Sequence, residues 1–276
     1  MGYTTKIAWT NHTFNIVFGC VEVSQACRRC YAREFAKRLG YGKNKPAIWG
    51  KDADRRVMPD EYWQQPLSWN GMAKKAGQRR RVFCSSMADV FEDHPITNRE
   101  RLKLWPLIRA TPWLDWMLLT KRHANVLNMM PDDISELLNV WPGMTIENRP
   151  MFYERAPLFL EVAKALPRHV TWVSAEPVFE AIPWRMITGQ THQIIFGGES
   201  GPGCEPFEIE MLKANISNVQ AGHPSTKVFV KQLGGRPIRN GRRIYLKDDK
   251  GGNWDEWPDD VPRLREIPLP AMALTA

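Results

Sequence analysis

The chain has 276 residues, 43% hydrophobic and 25% charged, with a formal net charge of +8 and a pI near 9.3. No apolar run reaches the roughly 18–20 residues of a membrane span, and Met-Gly-Tyr-Thr-Thr-Lys-Ile lacks the apolar stretch of a signal peptide, so a membrane partner is not expected. Five cysteines, an odd number with three in one short stretch, exclude a disulfide framework and point to a reducing cytoplasm.

The first apolar run, Phe14–Phe18, reads as a buried strand, and the cysteines Cys20, Cys27 and Cys30 follow it with C-x6-C-x2-C spacing. Tyr31, Phe35 and Leu39 then share one helix face, with Gly40 or Gly42 as the stop. Residues 41–81 are polar and turn-rich and read as an insertion. Further strands are expected at Val82–Ser86, Asp115–Leu119, Val140–Ile146, Val170–Ser174, Gln193–Phe196 and Lys227–Val230. They are apolar without alternation, as in strands covered on both faces. Helical periodicity joins Phe152, Ala156, Phe159, Ala163 and Leu166, and again Ile209, Leu212, Ile216 and Val219. This alternation predicts an α/β fold, a partial (β/α)6-7 TIM-like barrel over residues 1–233. A Gly-, Pro-, Asp- and Arg-rich extension, 234–276, is expected to wrap it.

In such folds chemistry gathers at the C-terminal ends of the strands. Each expected strand here breaks into polar residues at that end, seven breaks that would line one mouth. Lys121 and Glu176 are the candidate catalytic groups, able to hold charge or move a proton. Ser85, Ser86, Asp89, Glu147, Gly197, Gly198 and Glu199 are the candidate cofactor-binding residues. The two glycines would let backbone approach a ligand, and the carboxylate behind them would hold an ammonium or a ribose hydroxyl. Cys84, inside a strand, reads as a buried small hydrophobe. Cys204 is left unassigned.

Three thiolates on one loop suit a [4Fe–4S] cluster whose fourth iron stays open to S-adenosyl-L-methionine. The alternative is a zinc site completed by Cys84, Cys204 or a histidine, in a non-catalytic nucleic-acid-binding protein. Two basic groups suit phosphates: Lys74, Lys75, Arg79, Arg80 and Arg81, and then Arg236, Arg239, Arg242, Arg243 and Lys247.

Several spaced segments carry a resemblance. They include Ile7-Ala8-Trp9-Thr10, Phe14-Asn15, Gly19-Cys20, Cys27-Arg28-Arg29-Cys30-Tyr31-Ala32 and Ser86-Met87-Ala88-Asp89-Val90-Phe91. Others are Leu119-Thr120-Lys121-Arg122, Ser174-Ala175-Glu176-Pro177, Gly197-Gly198-Glu199-Ser200-Gly201 and Lys231-Gln232-Leu233-Gly234-Gly235. With them the sequence resembles the phage-associated three-cysteine family and, more broadly, radical SAM enzymes. The resemblance implies Cys20, Cys27 and Cys30 as metal ligands, a [4Fe–4S] cluster and S-adenosyl-L-methionine as cofactors, and an external electron donor. The first cysteine interval is six residues where the superfamily commonly has three, and Gly-Gly-Glu follows a late strand instead of an early one. Glu199 and the set Ser85, Ser86 and Asp89 are therefore rival holders of the methionyl amine. Relatives in phage thymine hypermodification imply an isomerase that rearranges a glycyl-thymidine, with DNA or a modified thymidine nucleotide as partner and the host cytoplasm as location. A radical enzyme on tRNA, a free nucleotide or a peptide is the other enzymatic reading.

Overall fold

The computed structural model describes residues 5–270. In chain order its elements are β1 (His12–Phe14), β2 (Val17–Phe18), α1 (Tyr31–Arg38), β3 (Arg56–Val57), α2 (Asp60–Trp63), α3 (Gln65–Lys75), β4 (Arg80–Cys84), α4 (Pro95–Ala110) and β5 (Leu114–Thr120). There follow α5 (Val126–Met129), β6 (Val140–Thr145), α6 (Arg149–Ala165), β7 (Trp172–Ala175), β8 (Gln193–Gly197), β9 (Phe207–Glu208), α7 (Ile209–Gly222), β10 (Lys227–Gln232), β11 (Pro237–Arg239) and β12 (Arg242–Arg243).

All seven expected runs contribute strands to one sheet, ordered β1-β4-β5-β6-β7-β8-β10. The pairings β1·β4, β4·β5, β7·β8 and β8·β10 are parallel. Parallel neighbours need crossover connections, and these run through α4 before β5, α6 before β7 and α7 before β10, while the link from β7 to β8 holds only the short 3-10 turns Trp184–Met186 and Thr188–Gln190. The α/β, partial TIM-like barrel is thus the observed fold. The first run departs from expectation by splitting: after Phe14 the chain leaves the sheet, and Val17–Phe18 pairs antiparallel with β3 instead. Among the described residues no helix is long and apolar enough to cross a membrane.

The described residues form two compact units, the first mainly residues 5–143 and the second residues 144–165 with 170–269. In the first, the segment read as a polar insertion contains α2 and α3, and its few aromatics are anchors. Trp69 stacks on His12 at 4.3 Å between ring centroids, while Tyr62 and Trp63 meet Phe14 at 4.9 and 5.2 Å. The Tyr62 hydroxyl also accepts the Asn15 N–H at 2.9 Å. These contacts pack α2 and α3 against the side chains of β1. Helix α1 turns a different face inward than its large residues suggest: Ala32 and Ala36 are buried, whereas Tyr31, Phe35 and Leu39 are exposed. Its end is as read. Gly40 takes φ +93°, with Gly40 N–H bonded to Lys37 O and Tyr41 N–H to Ala36 O, a Schellman stop.

In the second unit Phe152, Ala156 and Phe159 of α6 and Ile209, Leu212, Ile216 and Val219 of α7 join one core with Val173, Ile194, Phe196 and Val230. Each such fully buried large side chain contributes about 1.5–3 kcal/mol. The C-terminal extension runs beside β10: Val230 N–H donates to Leu264 O at 2.8 Å and Glu266 N–H to Val228 O at 3.1 Å. Trp257 and Val261 enter the same core. The last residues of that extension, 271–276, lie outside the described residues.

Candidate functional site

The cysteine loop begins at a glycine with no freedom to be anything else. Gly19 has φ +120°, and a Cβ there would fall 2.1 Å from Ile48 O. Gly19 N–H donates to Met87 O at 3.0 Å, and Gly50 N–H to Cys20 O at 3.1 Å, so Cys20 is clamped between two segments. Cys27 closes the short 3-10 turn Gln25–Cys27, and its carbonyl accepts Cys30 N–H at 3.2 Å. Cys30 in turn caps α1, its carbonyl accepting Glu34 N–H. All three are half-buried free thiols. Among the described residues no group of three or more His, Cys, Asp or Glu side chains stands in the arrangement of a metal site. In residue type the trio is the donor set a [4Fe–4S] cluster takes, three thiols on one loop with none in a disulfide, but here the thiols do not stand gathered as ligands.

Arg122 anchors that loop. Its guanidinium donates to Asp89 Oδ2 at 2.8 Å and to Val21 O at 2.9 Å, reaches Cys20 Sγ at 3.6 Å and lies 3.5 Å from Glu92 Oε1. Burial pushes the Cys20 thiol up to about 12; Arg122 opposes the rise, and Asp89 and Glu92 add to it. Burial also works against the charge on Arg122, but Asp89, Cys20 and Glu92 outweigh it and raise its affinity for the proton. Asp89 accepts from Phe91 N–H, Thr120 Oγ1, Lys121 N–H and Arg122, so all four of its acceptor positions meet its own chain. Glu92 accepts Val21 N–H at 3.0 Å and pairs with Arg55 at 2.8 Å, both side chains nearly inaccessible to solvent. The Ser85 hydroxyl meets Cys84 Sγ at 3.4 Å, and Ser86 Oγ meets Asn15 Nδ2 at 3.1 Å. Cys84 is fully buried, as its place in a strand implies. Lys121 is held only by its backbone; among the described residues its half-buried ammonium has no ion pair.

The second unit gathers Glu176, Gly197, Gly198 and Glu199 with Lys231 and Gln232. Glu176 Oε2 lies 2.6 Å from Lys231 Nζ, and its Oε1 accepts from Ser174 Oγ at 3.3 Å. The glycines admit a close approach, but the approaching group is the chain itself. A Cβ on Gly198 would sit 2.5 Å from Leu233 O, and one on Gly197 would meet the Glu176 side chain at 3.3 Å. Glu199 Oε2 accepts Glu205 N–H at 2.9 Å and so shapes the loop after β8. Glu147 is fully buried and paired with Arg155 at 2.9 Å. Arg155 also donates to Thr145 O, so the pair ties α6 to the end of β6. Glu147 thus stands in a helix-to-strand tie.

The protein-family model described as "Protein of unknown function (DUF5131)" matches residues 4–258. The chain belongs to this family. No curated protein matches it. Among solved structures, it is similar to a double mutant of spore photoproduct lyase with bound AdoMet and dinucleoside spore photoproduct, at 16% identity and TM-score 0.45, covering 89% of this chain and 71% of the other. A single mutant of spore photoproduct lyase matches at 15% identity and TM-score 0.47, covering 90% and 72%.

In this DUF5131 member the residues that hold the cysteine loop escaped the sequence reading. Arg55 and Glu92 lie 35 and 72 residues beyond Cys20 in sequence, and each carries an ordinary charged side chain. The available signal was Gly19 directly before Cys20, which marks a backbone that something else must approach closely.

Proposed function

We propose that this chain is a radical SAM enzyme acting on a nucleobase in DNA. Cys20, Cys27 and Cys30 would hold a [4Fe–4S] cluster, and its sharpest substrate is a glycyl-thymidine that it isomerises during phage thymine hypermodification, a change that would shield the DNA from host restriction. The observation that carries the reading is the trio of free, half-buried thiols on one loop, clamped at Cys20 by Gly50 and Arg122. A cluster of this kind with bound S-adenosyl-L-methionine supplies a 5′-deoxyadenosyl radical, the reagent for taking hydrogen from an unactivated carbon. Moving an amino acid's bond to thymine from nitrogen to its α-carbon calls for such an abstraction.

The chain's own residues fall into roles. Arg122 places a fixed positive charge at Cys20 Sγ, and Asp89 and Glu92 hold that guanidinium in place. Lys121 offers an unpaired ammonium for a carboxylate or phosphate, and Glu176 with Lys231 forms a pair able to exchange a proton or bind an ammonium. Glu199 and the hydroxyls of Ser85 and Ser86 remain the candidates for the methionyl group, with Gly197 and Gly198 shaping the loop that presents Glu199. Asp89, fully engaged by its own chain, supports that neighbourhood through Thr120 and Arg122.

Anaerobic purification tests the reading. It expects a brown protein with about four irons and four sulfides per chain, lost in Cys27→Ala, and reductant-dependent release of 5′-deoxyadenosine. A colourless protein with one stoichiometric zinc would sink it. Mass spectrometry of nucleosides from phage DNA made with and without the gene tests the substrate, and an unchanged thymidine profile removes hypermodification.

A further inference from the structure

Two members of the second basic group, Arg236 and Arg243, line a cavity in the second unit that no role above uses. It measures about 570 Å³ and is lined by Gly201, Pro202, Gly203, Cys204, Arg236 and Arg243 among others, with no carboxylate in the lining. We propose that this cavity is a phosphate subsite that grips the backbone of a nucleic-acid strand.

Two arginines converge on it, and neither has an ion-pair partner among the described residues. Their neighbour Arg239 shows that this is selective, since it points elsewhere and pairs with Asp260 at 3.0 Å. Bringing two guanidiniums to one cavity costs repulsion that a bound anion relieves, and their planar forks suit phosphate oxygens. Arg243 is pre-aimed: it donates to Gly235 O at 3.3 Å and lies over the Tyr245 ring at 4.9 Å from the centroid. Backbone can be approached closely here, because Gly201 and Gly241 have positive φ and open space where a Cβ would stand. Tyr245 is 81% exposed, so its ring offers a face on which a base can stack beside the held phosphate. Free phosphate would use only the arginines. An aromatic beside them favours a nucleotide chain.

Fluorescence anisotropy of the full chain with a labelled oligothymidylate of about 12 nucleotides tests this without S-adenosylmethionine or reductant, so the result is independent of the radical reading. Arg236→Gln with Arg243→Gln should weaken binding about tenfold and flatten the salt dependence of log K by about 1.4. Tyr245→Ala should weaken binding while leaving the salt slope unchanged. Lys164→Gln with Arg168→Gln removes the same charge at two exposed residues elsewhere and should change affinity by about twofold or less. Equal losses from the two double variants would reduce the effect to net charge and overturn the proposal. Thymidine 5′-monophosphate and inorganic phosphate serve as competitors. An oligonucleotide that fails to bind where either small anion does, by calorimetry, would also overturn it.

Discussion

In the first unit Asp89 accepts from four groups of its own chain, whereas in the second Glu176 faces the ammonium of Lys231, which keeps a quarter of its side chain in solvent. Both carboxylates follow strands of the same sheet, and the sequence makes them look alike. Their surroundings separate them. Asp89 and Glu92 serve a buried scaffold whose product is the position of Arg122 and the cysteine loop. Glu176 belongs to a pair one of whose members water can still reach, so exchanging its partner for a ligand costs little. A polar residue at a strand end is therefore evidence of function only once its donors and acceptors have been counted.

The hardest blow to this contrast would fall on Glu92. Arg55 is wholly shielded from solvent, so Glu92→Ala strands a buried guanidinium and should cost about 3–5 kcal/mol. The chevron midpoint or equilibrium denaturation reads this directly. Glu92→Gln keeps the acceptor for Val21 N–H and should lose less. A Glu92→Ala protein within about 1 kcal/mol of the wild type would show that the scaffold around Cys20 is hydrated after all.

Gly198 sharpens the comparison next. A methyl group there would meet backbone, Leu233 O at 2.5 Å, so Gly198→Ala must move the chain after β10 and should cost about 1–3 kcal/mol. Thermal melting checks it. If the variant melts like the wild type yet loses S-adenosylmethionine binding, the glycine serves a ligand and the packing account fails.

How much of this was legible beforehand follows from what each signal encodes. Seven apolar runs gave the parallel sheet because strands covered on both faces need no alternation, and the α6 and α7 stripes were visible because their spacing is regular. Within residues 41–81 the helices α2 and α3 left no periodic trace, because three buried aromatics, Tyr62, Trp63 and Trp69, do the anchoring amid polar neighbours, too few to set a period. Helix α1 misled in the opposite way: its large apolar residues drew the eye, but the buried stripe is Ala32 and Ala36. At the site, residue types marked the polar strand ends, while partners such as Arg55 for Glu92, 37 residues apart, depend on long-range pairing that no local pattern records.

The smallest effect is expected at Glu176. With Glu176→Gln the Lys231 ammonium can turn to water, so the stability loss should be about 1 kcal/mol or less, as for partly exposed pairs. A double-mutant cycle with Lys231→Met measures the coupling, and a value near that of the Arg55–Glu92 pair would erase the distinction between the units. A small coupling combined with a large loss of turnover would do the reverse. It would mean that the energy of this pair is reserved for the substrate, since a carboxylate whose partner is easily rehydrated is free to change hands when a ligand arrives.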